Sequence, residues 1–191
     1  MFNKKILIYF SKTHLFLYYK ELNHPIKLEF EPSTVYDLEN VDVDWIRVKL
    51  NSLLKKTKLK NSRGVMILSK DLVFDRIVNE ETQNEKDFEV KDFIDNIPLQ
   101  ADLIRYKEFV RDDNILITAT NKKLYESLIN LLKEFGIHVY SVLPEIAFSK
   151  VEFNKTFINE LLKQNELLKY GNFIDDGTDK NKINFKINLN H

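Results

Sequence analysis

The residues able to carry chemistry are few and scattered. The four histidines are His14, His24, His138 and His191. None stands four residues from another, and none has a carboxylate at zinc-ligand spacing on a helix, so they do not suggest a zinc site. A catalytic base also needs a nucleophile and an orienting partner, and no histidine has both at hand in the chain. The acids Asp42, Asp44, Asp71, Asp75, Asp112 and Asp113 could seed a metal nuclease only by converging on two ions. Asp112 and Asp113 suit a hairpin turn instead, and Asp42 and Asp44 suit helix caps.

Phosphate chemistry is disfavoured on similar grounds. Anion loops use clustered glycines so that backbone N–H groups can approach closely. The chain has only Gly64, Gly136, Gly171 and Gly177, with no phosphate-loop motif. Thr118-Ala119-Thr120-Asn121 closes a strand and opens a helix, where an anion could sit, but without glycine it reads as a cap. The basic run Lys55–Arg63 (KKTKLKNSR) has no interleaved aromatic residue, as a nucleic-acid surface would want. Cations at a helix end or a surface for an acidic partner explain it better. No cofactor and no metal is expected.

Composition sets the outer bounds. The 191 residues suffice for one domain or two small ones, and 43% hydrophobic content supports a packed core. Lys plus Arg and Asp plus Glu both total 29, so no global charge draws the chain to nucleic acid or anionic lipid. The absence of cysteine excludes thiolate chemistry and fits a cytoplasmic location. Apolar runs such as ILIYF are too short to span a bilayer.

The elements that would position any site are readable from periodicity. Residues 4–10, 14–19 and 25–31 read as an antiparallel meander, with Ile26, Leu28 and Phe30 on one face of the third strand. A helix is expected from Asp44 to Lys58, burying Ile46, Leu50, Leu53 and Leu54. A buried strand follows at 64–68 and an extended ribbon at 71–80. Residues 79–87 read as a polar loop and 88–97 as a helix stopped by Pro98. Strands at 103–110 and 114–120 flank a turn. Next come a helix capped at Thr120 or Asn121 and ended by Gly136, a strand at 137–143, and a last helix over 156–169. The alternating INFKINL near the end reads as a strand. The class is α/β with α+β character.

The stretch GVMILSKDLVFDRIVNE, a helix ending in IPL, and then ILITATNKKLYESLINLLKEFGIHVYSVLPEIAF resemble the middle of the PilM and GspL type of actin-like protein. The meander and its helix fit the first actin-like subdomain in order and size. The resemblance implies an actin-like (RNase H-like) first lobe with an inserted small subdomain. Its implied divisions are 1–63, 64–145, a helix within 146–171 packing back on the first subdomain, and 172–191 as either a polar tail or the start of a second lobe. ATP-binding members carry a D-x-G-x-[ST] hairpin, whereas this chain has Phe10-Ser11-Lys12-Thr13. Asp175-Asp176-Gly177-Thr178 is at most a worn second phosphate loop. An RNase H-like nuclease would place an acid on the first strand, and Ile6–Phe10 has none.

What the resemblance implies is a non-enzymatic cytoplasmic adaptor of a type IV pilus or type II secretion machine, peripheral to the inner membrane. It would dock an assembly ATPase and an inner-membrane component, with a homodimer as a further option and membrane contact only indirect. Residues 71–80 and 103–110 are the expected sheet edges, where a partner strand could add. Arg76, Arg105 and Lys107 would guard those edges or read acidic residues, and Phe74, Tyr106 and Phe109 would serve as anchors. The alternative is an enzyme of the same fold whose cleft a partner chain or further residues complete.

Overall fold

Short apolar alternations at the start of the chain fold into a meander, which becomes half of a five-stranded sheet. The computed structural model describes residues 4–36, 38–55, 57, 59–79, 83–111, 114–174 and 182–184. Strands β1 (Lys4–Phe10), β2 (His14–Tyr19) and β3 (Ile26–Glu29) are antiparallel neighbours. A small ribbon, β4 (Val35–Tyr36) with β5 (Asn40–Val41), leads to helix α1 (Val43–Leu54). Strand β6 (Ser62–Leu68) then pairs parallel to β1. After a 3-10 turn at 70–72 the chain leaves this sheet as β7 (Phe74–Asn79).

Helix α2 (Gln83–Asp95), β8 (Ile104–Arg111) and β9 (Asn114–Asn121) build a second sheet with β7. Helix α3 (Lys122–Glu134) returns the chain to the first sheet at β10 (Ile137–Pro144), parallel to β6. Short helices α4 (Lys155–Leu161) and α5 (Asn165–Tyr170) follow, and β11 (Lys182–Asn184) joins the second sheet. The strand orders are β10-β6-β1-β2-β3 and β11-β8-β9-β7. None of the described helices is long and apolar enough to cross a membrane.

Three apolar clusters follow from the two-residue period of the strands. Ile6, Ile8 and Phe10 face α1 and α3, packing with Ile46, Leu50, Leu124 and Leu128. Leu7, Val65 and Ile67 face the other way, toward Phe157, Ile158, Leu161 and Leu167, and toward Phe109 and Leu116 of the second sheet. The second sheet packs its outer face on Val90, Phe93 and Ile97 of α2. Gly64 stands beside β1 because a Cβ there would lie 2.6 Å from Ile6 Cγ2 and 2.9 Å from Ile8 Cδ1. Gly136 closes α3 in the left-handed region, with φ of 77°.

Several boundaries depart from the sequence reading. Helix α1 is capped by Asp42, whose carboxylate accepts from the Trp45 amide at 2.9 Å, and it stops at Leu54 with Leu53 exposed. Helix α2 starts five residues earlier than expected, inside the polar stretch 79–87. That stretch is rich in helix formers, and Lys86 turns inward to meet Glu108. The expected helix over 156–169 is two helices broken at 162–164. The break changes the phase, so that Leu167 is buried and Leu168 only half-buried. Of the INFKINL segment only its first two residues are described, as part of the strand Lys182–Asn184, while Asp112, Asp113 and residues 175–181 and 185–191 lie outside the described residues.

Candidate functional site

The carboxyl ends of β1, β6 and β10 converge on the hairpin 10–13, the place where ligands gather in open α/β sheets. Each amide around this hairpin has a partner within the chain. Ser11 donates its N–H to the His14 carbonyl at 3.0 Å. The Ser11 Oγ accepts from the amides of Thr13 at 3.2 Å and His14 at 3.0 Å. The Lys12 amide donates to Asp71 Oδ2 at 3.1 Å, and the Ser69 hydroxyl donates to the other Asp71 oxygen. A second carboxylate closes the far side: Glu145 Oε2 accepts from the Lys70 amide at 3.1 Å and from the Tyr9 hydroxyl at 3.0 Å. Two side-chain carboxylates thus take the Lys12 and Lys70 amides and the Tyr9 hydroxyl.

Electrostatics reinforce this arrangement. Burial and the Glu145 carboxylate push the Tyr9 hydroxyl well above the ordinary phenol range, so Tyr9 stays a donor. His14 stacks on Tyr9 with ring centroids 5.8 Å apart, lies 4.5 Å from Phe16, and has Nδ1 2.8 Å from Thr13 Oγ1. Burial, aided by Lys27, pulls its pKa below the usual 6.5, against smaller opposing effects of Asp71 and Glu29. A depressed histidine contributes stability that is full above about pH 6.5. That contribution declines below this pH, as the unfolded chain takes up the proton first, and levels off once the folded pKa is passed. Urea titrations should show this loss in wild type, and His14→Gln should flatten it; an unchanged profile in the variant would rule the effect out.

The strand-to-helix junction at 118–121 is filled by side chains. Thr120 is fully buried and its hydroxyl donates to the Leu72 carbonyl at 2.9 Å. Asn121 Oδ1 accepts from the Lys123 amide at 2.9 Å, so Asn121 is the cap. Among the described residues no cluster of His, Asp or Glu could hold a metal ion.

The six residues expected to meet a partner do not share one surface. Strand β7 is a sheet edge, but β8 is flanked by β9 and β11, so it is not. Phe74 and Tyr106 are half-buried against the α2 cluster. Phe109 is 1% exposed and belongs to the core between the sheets, since its strand face meets Leu116 and Leu167. It therefore cannot be a surface anchor. Lys107 is 5% exposed, so it cannot guard an edge. Arg105 is half-buried and its guanidinium donates to the Ile104 carbonyl at 3.1 Å. Arg76 lies over the Phe93 ring and pairs with Asp92 at 2.7 Å. Asp71, which bonds the hairpin, figures in the sequence reading only as one of several scattered acids, and Glu145, which bonds the neighbouring Lys70 and Tyr9, is not among its candidates; both act across 59 or more residues of sequence.

No protein-family model and no curated protein matches the sequence. Solved structures do. A chain of the PilM-PilN type IV pilus biogenesis complex superposes with a TM-score of 0.51 at 12% identity, covering 74% of this chain and 47% of that one. At this identity the likeness is one of fold: the chain shares its mixed α/β architecture with that chain of the pilus complex. Two looser matches have TM-scores of 0.48 and 0.41, each at 10% identity. One is the cytoplasmic domain of EpsL, an inner-membrane component of the type II secretion system of Vibrio cholerae, covering 78% of this chain and 61% of that one. The other is a Bacteroides thetaiotaomicron protein with an actin-like ATPase fold, covering 72% and 51%. The chain thus spans about half to three-fifths of the solved chains it matches.

Proposed function

We propose that this chain is a non-catalytic scaffold that docks protein partners in an inner-membrane assembly of the type IV pilus or type II secretion kind. The observation that carries this reading is the hairpin at 10–13, whose amides are taken up by Ser11, His14 and Asp71, with Glu145 alongside. A triphosphate there would have to displace Asp71 and Glu145 and would meet no flexible glycine backbone. The likeness in fold to a chain of the PilM-PilN pilus complex supports the assembly context. The partners of this reading are an assembly ATPase and an inner-membrane component, with the chain cytoplasmic and held to the membrane through them. A partner strand adds along β7, one of the two terminal strands of the second sheet as described, next to Phe74 and Arg76.

Thermal unfolding with ATP and magnesium tests the reading. No stabilisation is expected at millimolar nucleotide. A ligand at a hundredfold excess over its dissociation constant would add about 2.7 kcal/mol, and a rise of that order would overturn the proposal in favour of a nucleotide-dependent enzyme.

A further inference from the structure

At the opposite end of the same sheet lies a cavity of about 340 Å³, lined by Lys5, Arg63, Tyr140, Leu162, Asn165, Leu168 and Lys169. Lys5 and Arg63 are register partners on β1 and β6, so their side chains leave the same face of the sheet. Lys5 stands about 17 Å along β1 from Phe10, at ~3.3 Å per residue, which separates the cavity from the hairpin. The Arg63 guanidinium lies over the Tyr140 ring, with Cζ 4.1 Å from its centroid. Stacking on one face leaves the N–H edge of the guanidinium free for two parallel bonds to an oxyanion. Helices α4 and α5 provide the other wall, with Leu162 and Leu168 half-buried and Asn165 and Lys169 at its mouth.

The charge here is one-sided. Three of the lining residues are cations and none is an acid. Among the described residues no carboxylate pairs with Lys5, Arg63 or Lys169. In a chain whose formal charges cancel, a concave site holding only positive charge favours an anionic occupant. Arg63 ends the basic run Lys55–Arg63, which lacks aromatic residues of its own; the fold supplies one from β10. The two leucines add apolar contact that a bare inorganic ion would not use. No glycine lines the cavity, so no backbone cradle for phosphate is present.

The geometry points to a binding site for an acidic peptide segment, in which a carboxylate takes the edge of Arg63 between Lys5 and Lys169 and a neighbouring apolar side chain packs on Leu162 and Leu168. This inference rests on the scaffold reading above, for which it names the chemistry of one partner.

A random peptide library displayed on phage, panned in parallel on the wild-type chain and on Lys5→Glu/Arg63→Glu, tests it. Both positions are exposed, and matching circular dichroism and melting temperature would establish that the variant is folded. The wild type should enrich peptides that combine Asp or Glu with a large apolar residue. Synthetic copies should bind at least tenfold more weakly to the double variant and, independently, to Lys169→Glu, and should weaken with salt. No enrichment, enrichment without acidic residues, or equal binding to the variants would overturn the inference. Binding of phosphatidylserine vesicles, inorganic phosphate or a single-stranded oligonucleotide in place of peptide would overturn it too, by assigning the cations to another anion. Peptide binding together with stabilisation by ATP would leave this site standing and remove the scaffold reading; no peptide and no ATP effect would do the reverse.

Discussion

Truncating Lys86 to alanine is expected to lower the unfolding free energy by about 3–5 kcal/mol, the range for removing one member of a buried ion pair. Lys86 is 4% exposed and its Nζ lies 2.7 Å from Glu108 Oε2, whose side chain is 10% exposed. The ammonium is the countercharge that this buried carboxylate has beside it. Removing the lysine strands a carboxylate between α2 and β8. For a chain of this size the loss corresponds to a fall of roughly 6–20 °C in melting temperature. The companion variant Lys86→Met/Glu108→Leu should recover most of it, because two apolar groups of similar volume need no countercharge. Urea unfolding of both variants is the measurement, and a single variant that loses less than about 1 kcal/mol would show that water already solvates the pair.

The second large effect is expected at Asn172. Its Oδ1 accepts from the amides of Val142 at 2.8 Å and Ile174 at 3.0 Å, and its Nδ2 donates to the Tyr140 carbonyl at 3.1 Å. The Phe173 amide adds a bond to the Val142 carbonyl at 2.9 Å. One side chain therefore pairs along β10 as a neighbouring strand would. Val142 is fully buried, so Asn172→Ala leaves its amide without a partner, at about 1–3 kcal/mol for each such group. A total loss of about 2–4 kcal/mol is expected, with faster amide exchange at Val142. Exchange that is unchanged there would mean that a water replaces the side chain.

Legibility from sequence followed the strength of local signals. The meander, β6, β9 and β10 were readable because their alternation or apolar runs are uninterrupted. Helix α3 was readable because Asn121, the stripe Leu124, Leu128, Leu131 and Leu132, and Gly136 agree on one answer. Tyr125, buried with its hydroxyl on the Phe173 carbonyl at 2.9 Å, was missed, since its partner is 48 residues away. The start of α2 was missed for a similar reason: Lys86 becomes an interior residue only once Glu108 is placed beside it. The break between α4 and α5 has no glycine or proline to announce it, and is set by which leucine the sheet can bury.

The hairpin illustrates the same limit at the candidate site. That Phe10–Thr13 lacks the Asp and Gly of a phosphate hairpin is a local fact, and it was visible. That Asp71 and Glu145 bond the Lys12 and Lys70 amides beside it is a fact of tertiary packing. Phe109 and Lys107 were misplaced because alternation gives the two faces of β8 but not what covers each one.

The bonding of Asn172 to β10 bears on how the protein is made. During synthesis β10 leaves the ribosome some thirty residues ahead of the asparagine that completes its hydrogen bonding, so for that interval the nascent chain carries an open strand edge able to pair with another copy. Slowed translation between β10 and residue 172 should thus promote co-translational aggregation more than a pause placed after residue 174.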